Sequence, residues 1–299
     1  MAGVRLCIVC GDSGPFARLY TRDGFTLVRC PGCGLVFQDP QPSDADLQRT
    51  YYHDSEWTRA QLVDPMRTIL LERAQWQVEL LGKAGIRGNG QRLLDVGCAA
   101  GTFMTIAQQA GWQTTGVELG EATAQAARSG GLEVRTGTLA DAFGELEPGS
   151  FDLITFWDVL EHVRDPRDDL ALARELLRPG GMIAATMPNV SGLYPQATYR
   201  LIARPTGRWE YPELPVHLHD FDPSTVTRLL VDSGFHGVRV RTFATPFWYY
   251  RATSLATGAL GGRLRGWVLR GAFELLHMVL YPVALLSGRQ NSQFVLASR

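Results

Sequence analysis

Along the middle of this chain, apolar and polar residues follow two different rhythms. Short strand-like runs stand at residues 92–96, 114–117, 133–136, 152–156 and 182–186. Between them lie amphipathic stretches from Thr102 to Ala110 and from Glu121 to Arg128, and a third opens at Asp165-Pro166. Asp followed by Pro supplies a cap and then a first-turn residue whose missing N–H costs nothing there. Strand and helix in alternation predict a parallel sheet covered on both faces, an α/β fold. The pattern continues with a helix from Asp222-Pro223 to Gly234 and strands at 238–243 and 293–297. Residues 188–216, with Tyr194, Tyr199, Trp209 and Tyr211, read as a long aromatic loop over the open end of that sheet, facing an acceptor.

Upstream the rhythm changes. A helix carrying Met66, Ile69, Leu70, Ala74, Val78 and Leu81 on one face runs to Gly82, and Gly85 to Gly90 form a linker. Before it, short strands at Phe25–Arg29 and Leu35–Phe37 accompany two knuckles, Cys7-Ile-Val-Cys10-Gly and Cys30-Pro-Gly-Cys33-Gly. Zn²⁺ takes four soft ligands at tetrahedral corners, and paired Cys-x-x-Cys knuckles supply them. Such a closed site has no open position for water, so Cys7, Cys10, Cys30 and Cys33 predict a structural zinc ribbon. The alternative, two disulfides in a secreted protein, finds no support in the segment before Cys7, which has no signal-peptide apolar run. The chain therefore divides into a ribbon (1–42), a helical linker (43–90), an α/β core (91–245) and a C-terminal insertion with the last strand (246–299).

The turn after the first core strand reads Leu93-Leu94-Asp95-Val96-Gly97-Cys98-Ala99-Ala100-Gly101. A dinucleotide fingerprint wants glycine at the first, third and sixth positions, which here hold Gly97, Ala99 and Thr102. Asp95-x-Gly97-x-x-x-Gly101 instead resembles the turn of class I S-adenosylmethionine-dependent methyltransferases. The likeness extends to Phe151-Asp152-Leu153 through Glu161-His162-Val163-Arg164-Asp165-Pro166, to Leu177-Arg178-Pro179-Gly180-Gly181 and to Met187-Pro188-Asn189. Trp209, His217-Leu218-His219-Asp220-Phe221, the ribbon and Tyr51-Tyr52 resemble a small-molecule subgroup. The resemblance covers about residues 5–245 and departs mildly at Ala99-Ala100, where a third glycine is common.

It implies a Rossmann-like seven-stranded sheet with its last strand antiparallel, and S-adenosyl-L-methionine as cofactor. Asp95 would take the cofactor ammonium and Glu118 its ribose hydroxyls. Gly97, Cys98, Gly101 and Leu119 would lie around it, with Thr138, Leu139, Phe156, Trp157 and Asp158 on the neighbouring loops.

A hydroxyl acceptor needs a base, and His217 is the first candidate, with His219 and Asp158 behind it. If the loop is extended, both imidazoles point the same way. Asp158, Glu161 and His162, at helical spacing on one turn, resemble the cluster that supports a divalent metal in ubiquinone-type O-methyltransferases. The preferred reading is that Glu161 and His162 cap the following helix and brace the cofactor loop.

The implied reaction is O-methylation of a small or lipid-linked metabolite. Carbon methylation of a sugar or natural product is the second choice, and RNA methylation with the ribbon gripping RNA is a third. The net charge of −1 argues against a nucleic-acid partner. Residues 246–299 carry six arginines against the single acid Glu274, and Trp267 to Leu286 is apolar apart from Arg270, Glu274 and His277. That stretch reads as a lid or homodimer helix packed on the site, or as a peripheral membrane contact through 263–286. The location expected is cytoplasmic, with or without membrane association.

Overall fold

The computed structural model describes residues 6–47, 64–209, 211–244 and 264–299. Tyr51, Tyr52, Arg251 and Arg263 lie outside these residues, as do the side chains of Met66, Arg265, Trp267, Arg270, Glu274 and His277.

The N-terminal part is an antiparallel meander of β1 (Ala17–Arg22), β2 (Phe25–Arg29) and β3 (Val36–Gln38). The helix Asp64–Lys83 then leads into β4 (Arg92–Val96), β5 (Gln113–Glu118), β6 (Glu133–Thr136), β7 (Phe151–Trp157) and β8 (Leu177–Pro188). After β9 (His219–Asp220), the strands β10 (His236–Phe243) and β11 (Ser292–Ser298) complete the set.

The main sheet has seven strands in the order β10-β11-β8-β7-β4-β5-β6, and β11 is antiparallel to both its neighbours. Its central strands are buried on both faces, which is why Leu93, Leu94, Ile154, Phe156, Ile183 and Ala184 form near-continuous apolar runs. Between β4 and β7 the strand order reverses, so a crevice opens at their carboxyl ends. Asp95, Glu118 and Asp158 all reach that edge because each sits at or just past a strand's end.

Caps place the helices as the sequence predicts. Asp165 accepts from the Arg167 amide at 2.9 Å, and Asp222 forms a capping box with Thr225, each with proline in the first turn.

Two expectations change. Residues 188–216 are not one loop: helix Leu193–Thr198 continues through a π-turn at Tyr199–Ala203 to Arg204–Thr206. Pro195 falls in the first turn, where no N–H is needed, so it permits the helix. Trp209 is 1% exposed and packs with Tyr20, Leu27, Val36, Tyr199 and Tyr211, so these aromatics cement the ribbon to the core instead of facing an acceptor. The second change is at β3, which pairs with β9 in the register Val36↔Asp220 and Phe37↔His219. The ribbon sheet is thus completed by a strand of the core, giving the order β1-β2-β3-β9.

Candidate functional site

The two cysteine knuckles are built alike. Gly11 N–H donates to the Cys7 carbonyl at 2.8 Å, and Gly34 N–H to the Cys30 carbonyl at 2.9 Å. Both glycines are left-handed, with φ of 75° and 84°, which explains the glycine after each second cysteine. Ligand atoms of Cys7, Cys10, Cys30 and Cys33 lie within 4.8 Å of one another. The closest pairs are Cys7–Cys33 at 3.5 Å and Cys10–Cys30 at 3.4 Å, far beyond a disulfide's ~2.05 Å and close to the ~3.8 Å edge of a zinc–thiolate tetrahedron. Burial pushes the Cys7 thiol up to about 11 and raises Cys33 as well, whereas at Cys10 burial is outweighed by backbone and neighbouring-cysteine hydrogen bonds, which lower it. The four sulfurs fit a closed structural Zn²⁺ site.

At the sheet's open edge, Gly97 and Gly101 adopt φ of 74° and 78°. A Cβ on Gly97 would stand 2.6 Å from Val159 Cγ2, and one on Gly101 would stand 2.1 Å from Leu132 Cδ1. Ala99, in the position where the resemblance expects glycine, takes the left-handed conformation anyway at φ 51°. Its amide donates to Glu118 Oε2 at 2.8 Å, while Gly120 N–H (2.7 Å) and Thr123 Oγ1 (3.1 Å) donate to Oε1. Glu118 is therefore oriented by the turn it serves. Asp95 is buried and accepts from Thr155 Oγ1 at 2.7 Å. Burial, with the Glu118 charge nearby, pushes its carboxyl up to about 7. A carboxylate so placed is stabilised by an arriving ammonium.

The side chains of several other expected cofactor contacts are engaged within the protein. Cys98 packs against Met104 and the Gly116 backbone, and burial raises its thiol further. Thr138 spends its hydroxyl in a capping box with Asp141. Leu139, Phe156 and Trp157 are core residues, Trp157 lying edge-on to Phe103 at 5.1 Å and stacked on Phe294 at 6.3 Å. Leu119, 41% exposed, remains an apolar surface beside Glu118.

Asp158 lies next to the crevice with φ 56°, but its carboxylate is engaged by Arg73 and, at 2.8 Å, by Thr186 Oγ1. Burial opposes its ionisation, yet the Arg73 charge and these hydrogen bonds hold it below the usual carboxylate range. Residues 158–162 form a turn and not a helix, so Asp158, Glu161 and His162 do not share a face. The cluster has other members instead: Glu161, His162 and His217 bring ligand atoms within 4.8 Å of one another. The His162 and His217 rings meet edge to face at 4.7 Å. Among the described residues neither Glu161 carboxylate oxygen has a hydrogen-bond partner, and burial followed by the Asp158 charge raises it well above the usual range.

Burial disfavours a charged His217. Even so, Glu213 at 3.6 Å, Asp220 at 3.8 Å and Glu161 outweigh burial and push it up to about 9. Burial and the His217 charge push His162 down to about 3. Interacting this closely, the cluster titrates as a unit.

His219 does not join this cluster. A turn at 214–216 precedes His217, so strand alternation does not apply, and His219 Nε2 lies 3.2 Å from the Arg164 carbonyl oxygen. Arg73 is the site residue that the sequence reading missed. It falls on the inward stripe beside Ile69, Leu70 and Ala74, and a cation on that stripe is the signal that marks it.

An open α/β sheet with a glycine turn and acids at the ends of β4 and β5 is the architecture of the Rossmann-like class. Residues 66–240 match the family model described as a methyltransferase domain, and the chain belongs to that family. Among curated relatives, the ubiquinone biosynthesis O-methyltransferase of Pseudomonas aeruginosa is 33% identical over 138 residues, 44% of this chain and 57% of that protein. Its Bordetella avium counterpart is 34% identical over 132 residues, 42% of this chain and 53% of that protein. The matched regions thus span little more than half the length of these relatives. Among solved structures, a SAM-dependent methyltransferase from Archaeoglobus fulgidus aligns with TM-score 0.50 and 16% identity over 76% of this chain and 94% of its own. Phosphoethanolamine N-methyltransferase 2 of Haemonchus contortus, in complex with S-adenosyl-L-methionine, aligns with TM-score 0.53 and 16% identity over 88% of this chain and 61% of its own. Both share the fold.

Proposed function

We propose that this protein transfers a methyl group from S-adenosylmethionine to an oxygen of a small or lipid-linked molecule. The observation that carries this reading is the placement of two unlike sets of groups at one sheet edge. Asp95 and Glu118 lie at the ends of β4 and β5, and past β7 next door Glu161 and His162 meet His217 from the segment before β9. The relatives named ubiquinone biosynthesis O-methyltransferase support an oxygen acceptor.

When bound, S-adenosylmethionine supplies an electrophilic methyl on its sulfonium. Asp95 would hold its ammonium and Glu118 its ribose hydroxyls, with Leu119 beside them, and the Gly97–Gly101 backbone would allow close approach. His217 takes the acceptor's proton, with Glu213 and Asp220 carboxylate oxygens 3.6 and 3.8 Å from its ring nitrogens. Because those carboxylates keep it protonated at neutral pH, its own proton must leave first, and turnover rises with pH toward about 9.

The ribbon holds zinc structurally, and the reduced cysteines suit a cytoplasmic setting. The outer stripe of helix Leu264–Ser287 supports peripheral membrane contact: Leu275, Met278, Val279, Val283 and Leu286 are 51–91% exposed at i, i+3, i+4, i+8 and i+11. In sequence, residues 246–299 also carry arginines at 251, 263, 265, 270 and 289. Among the described residues no helix is long and apolar enough to cross a membrane. Dimerisation through the same stripe is the competing outcome, separated by flotation with anionic vesicles against sedimentation of the free protein.

The function is tested by incubating the protein with methyl-labelled S-adenosylmethionine and fractionated cell extract. Label in a small-molecule or lipid fraction, released as an O-methyl product, is the expected result; label in RNA or on carbon would overturn the reading. Turnover that depends on an added divalent cation would give the Glu161 cluster to a metal and remove His217 as base.

A further inference from the structure

Gln38 ends β3 and so belongs to the ribbon, yet its fully buried side chain is committed to the other module. Its amide nitrogen donates to the Pro215 carbonyl at 2.7 Å and to the His217 carbonyl at 2.6 Å. Its backbone N–H donates to the Leu218 carbonyl at 3.0 Å. From the opposite side, the Glu161 carbonyl accepts from Leu218 N–H at 2.8 Å and His219 N–H at 3.1 Å. The backbone that carries His217 is thus held between a ribbon residue and the turn past β7.

Two more ribbon side chains grip the approach to that loop. Tyr20 Oη accepts from the Trp209 amide at 2.9 Å, and Arg22 donates to the Trp209, Pro212 and Leu214 carbonyls at 3.2, 3.0 and 3.4 Å. Ribbon geometry in turn depends on the knuckles: Cys30 N–H donates to the Leu35 carbonyl at 2.9 Å, which closes the turn that feeds β3.

We propose that Gln38 is a positioning residue for acceptor turnover, transmitting the geometry of the metal-closed ribbon to the His217 loop. The ribbon is then part of the active-site frame and not a separate binding module. This rests on the reading of His217 as facing the acceptor. The physical reason is hydrogen-bond satisfaction. Two carbonyls in a buried loop share one amide donor, and removing it leaves both unpaired, so the loop moves to find other partners. A shift of about 1 Å in a catalytic group can cost roughly 10²-fold in rate.

The test compares the intact protein with Gln38→Met, which keeps the volume and loses the donor, and with Gln38→Glu, which places acceptors against the two carbonyls. Zinc content, S-adenosylmethionine affinity by calorimetry and steady-state turnover are measured on each. The expected result is parental zinc and cofactor affinity with kcat lowered about 10- to 100-fold. Chelation of the zinc should reproduce this split, with turnover lost while cofactor binding stays. In a His217→Ala background, Gln38→Met should add little, because the two act as one unit. Parental kcat in both Gln38 variants overturns the proposal, as does a loss of cofactor affinity equal to the loss of rate. If His217→Ala keeps the parental rate while Gln38→Met does not, the base assignment falls and the positioning role of Gln38 stands.

Discussion

The Ala99 amide donates a 2.8 Å hydrogen bond to Glu118 Oε2, joining the glycine turn after β4 to the end of β5. One carboxylate therefore shapes the turn and, in the proposed function, also holds the cofactor ribose with its remaining acceptor capacity. Replacing Glu118 should affect both.

Glu118→Ala is expected to weaken S-adenosylmethionine binding by about 1–3 kcal/mol, the scale for leaving hydrogen-bonding partners unpaired. It should also lower the melting temperature of the cofactor-free protein, since the Ala99 and Gly120 amides lose their acceptor. Calorimetry giving a parental dissociation constant would remove Glu118 from the site.

Asp95 predicts a pH dependence whose sign can be worked out. Its carboxyl sits at about 7 in the fold, against an ordinary value of about 3.9. Between those values the native state binds more protons than the unfolded chain, so this group's contribution to stability is full at low pH and is lost as pH rises through about 7. Cofactor affinity runs the other way, because the ammonium prefers the ionised form. Dissociation constants should fall from about pH 6 to about pH 8 and be nearly flat in Asp95→Asn. A parent as flat as the variant would contradict the assignment.

For the ribbon, elemental analysis of protein prepared without chelator should find one zinc per chain, and Cys30→Ser should reduce it. A segment this small has little core of its own, so the loss should expose residues 6–42 to proteolysis well below the melting of the main sheet. Zinc-free parent protein with an intact ribbon would refute the metal centre.

His217→Ala should retain cofactor affinity and lose roughly 10²–10⁴ in turnover, the usual scale for a missing base. The comparison with His219→Ala is informative, since His219 is placed against the Arg164 carbonyl and should act on stability more than on rate. A parental rate in His217→Ala would move proton transfer elsewhere.

Much of this was legible in the chain before folding. Strand and helix periodicity, Asp-Pro caps and the glycines of the turn are local signals, and the main sheet, its ends and the Asp95–Gly101 turn follow from them. Cys-x-x-Cys-Gly is local as well, because the left-handed glycine and the carbonyl it caps lie within one knuckle. Contacts between distant segments were not legible. Arg73 reaches Asp158 across 85 positions and Gln38 reaches His217 across 179, and no periodicity encodes such a pairing.

What the sequence determined by itself, then, is the set of elements and the chemistry present at strand ends. Both are written in the spacing of apolar side chains and in turn residues. Only the tertiary structure decided the membership of the buried cluster. Asp158 was drawn off by the Arg73 charge, while the pairing of β3 with β9 and the turn before His217 sent His217 toward Glu161 and His219 toward Arg164. The physical reason is that a charge settles on the nearest counter-charge in space, and that proximity is fixed by chain crossings, not by neighbours in sequence.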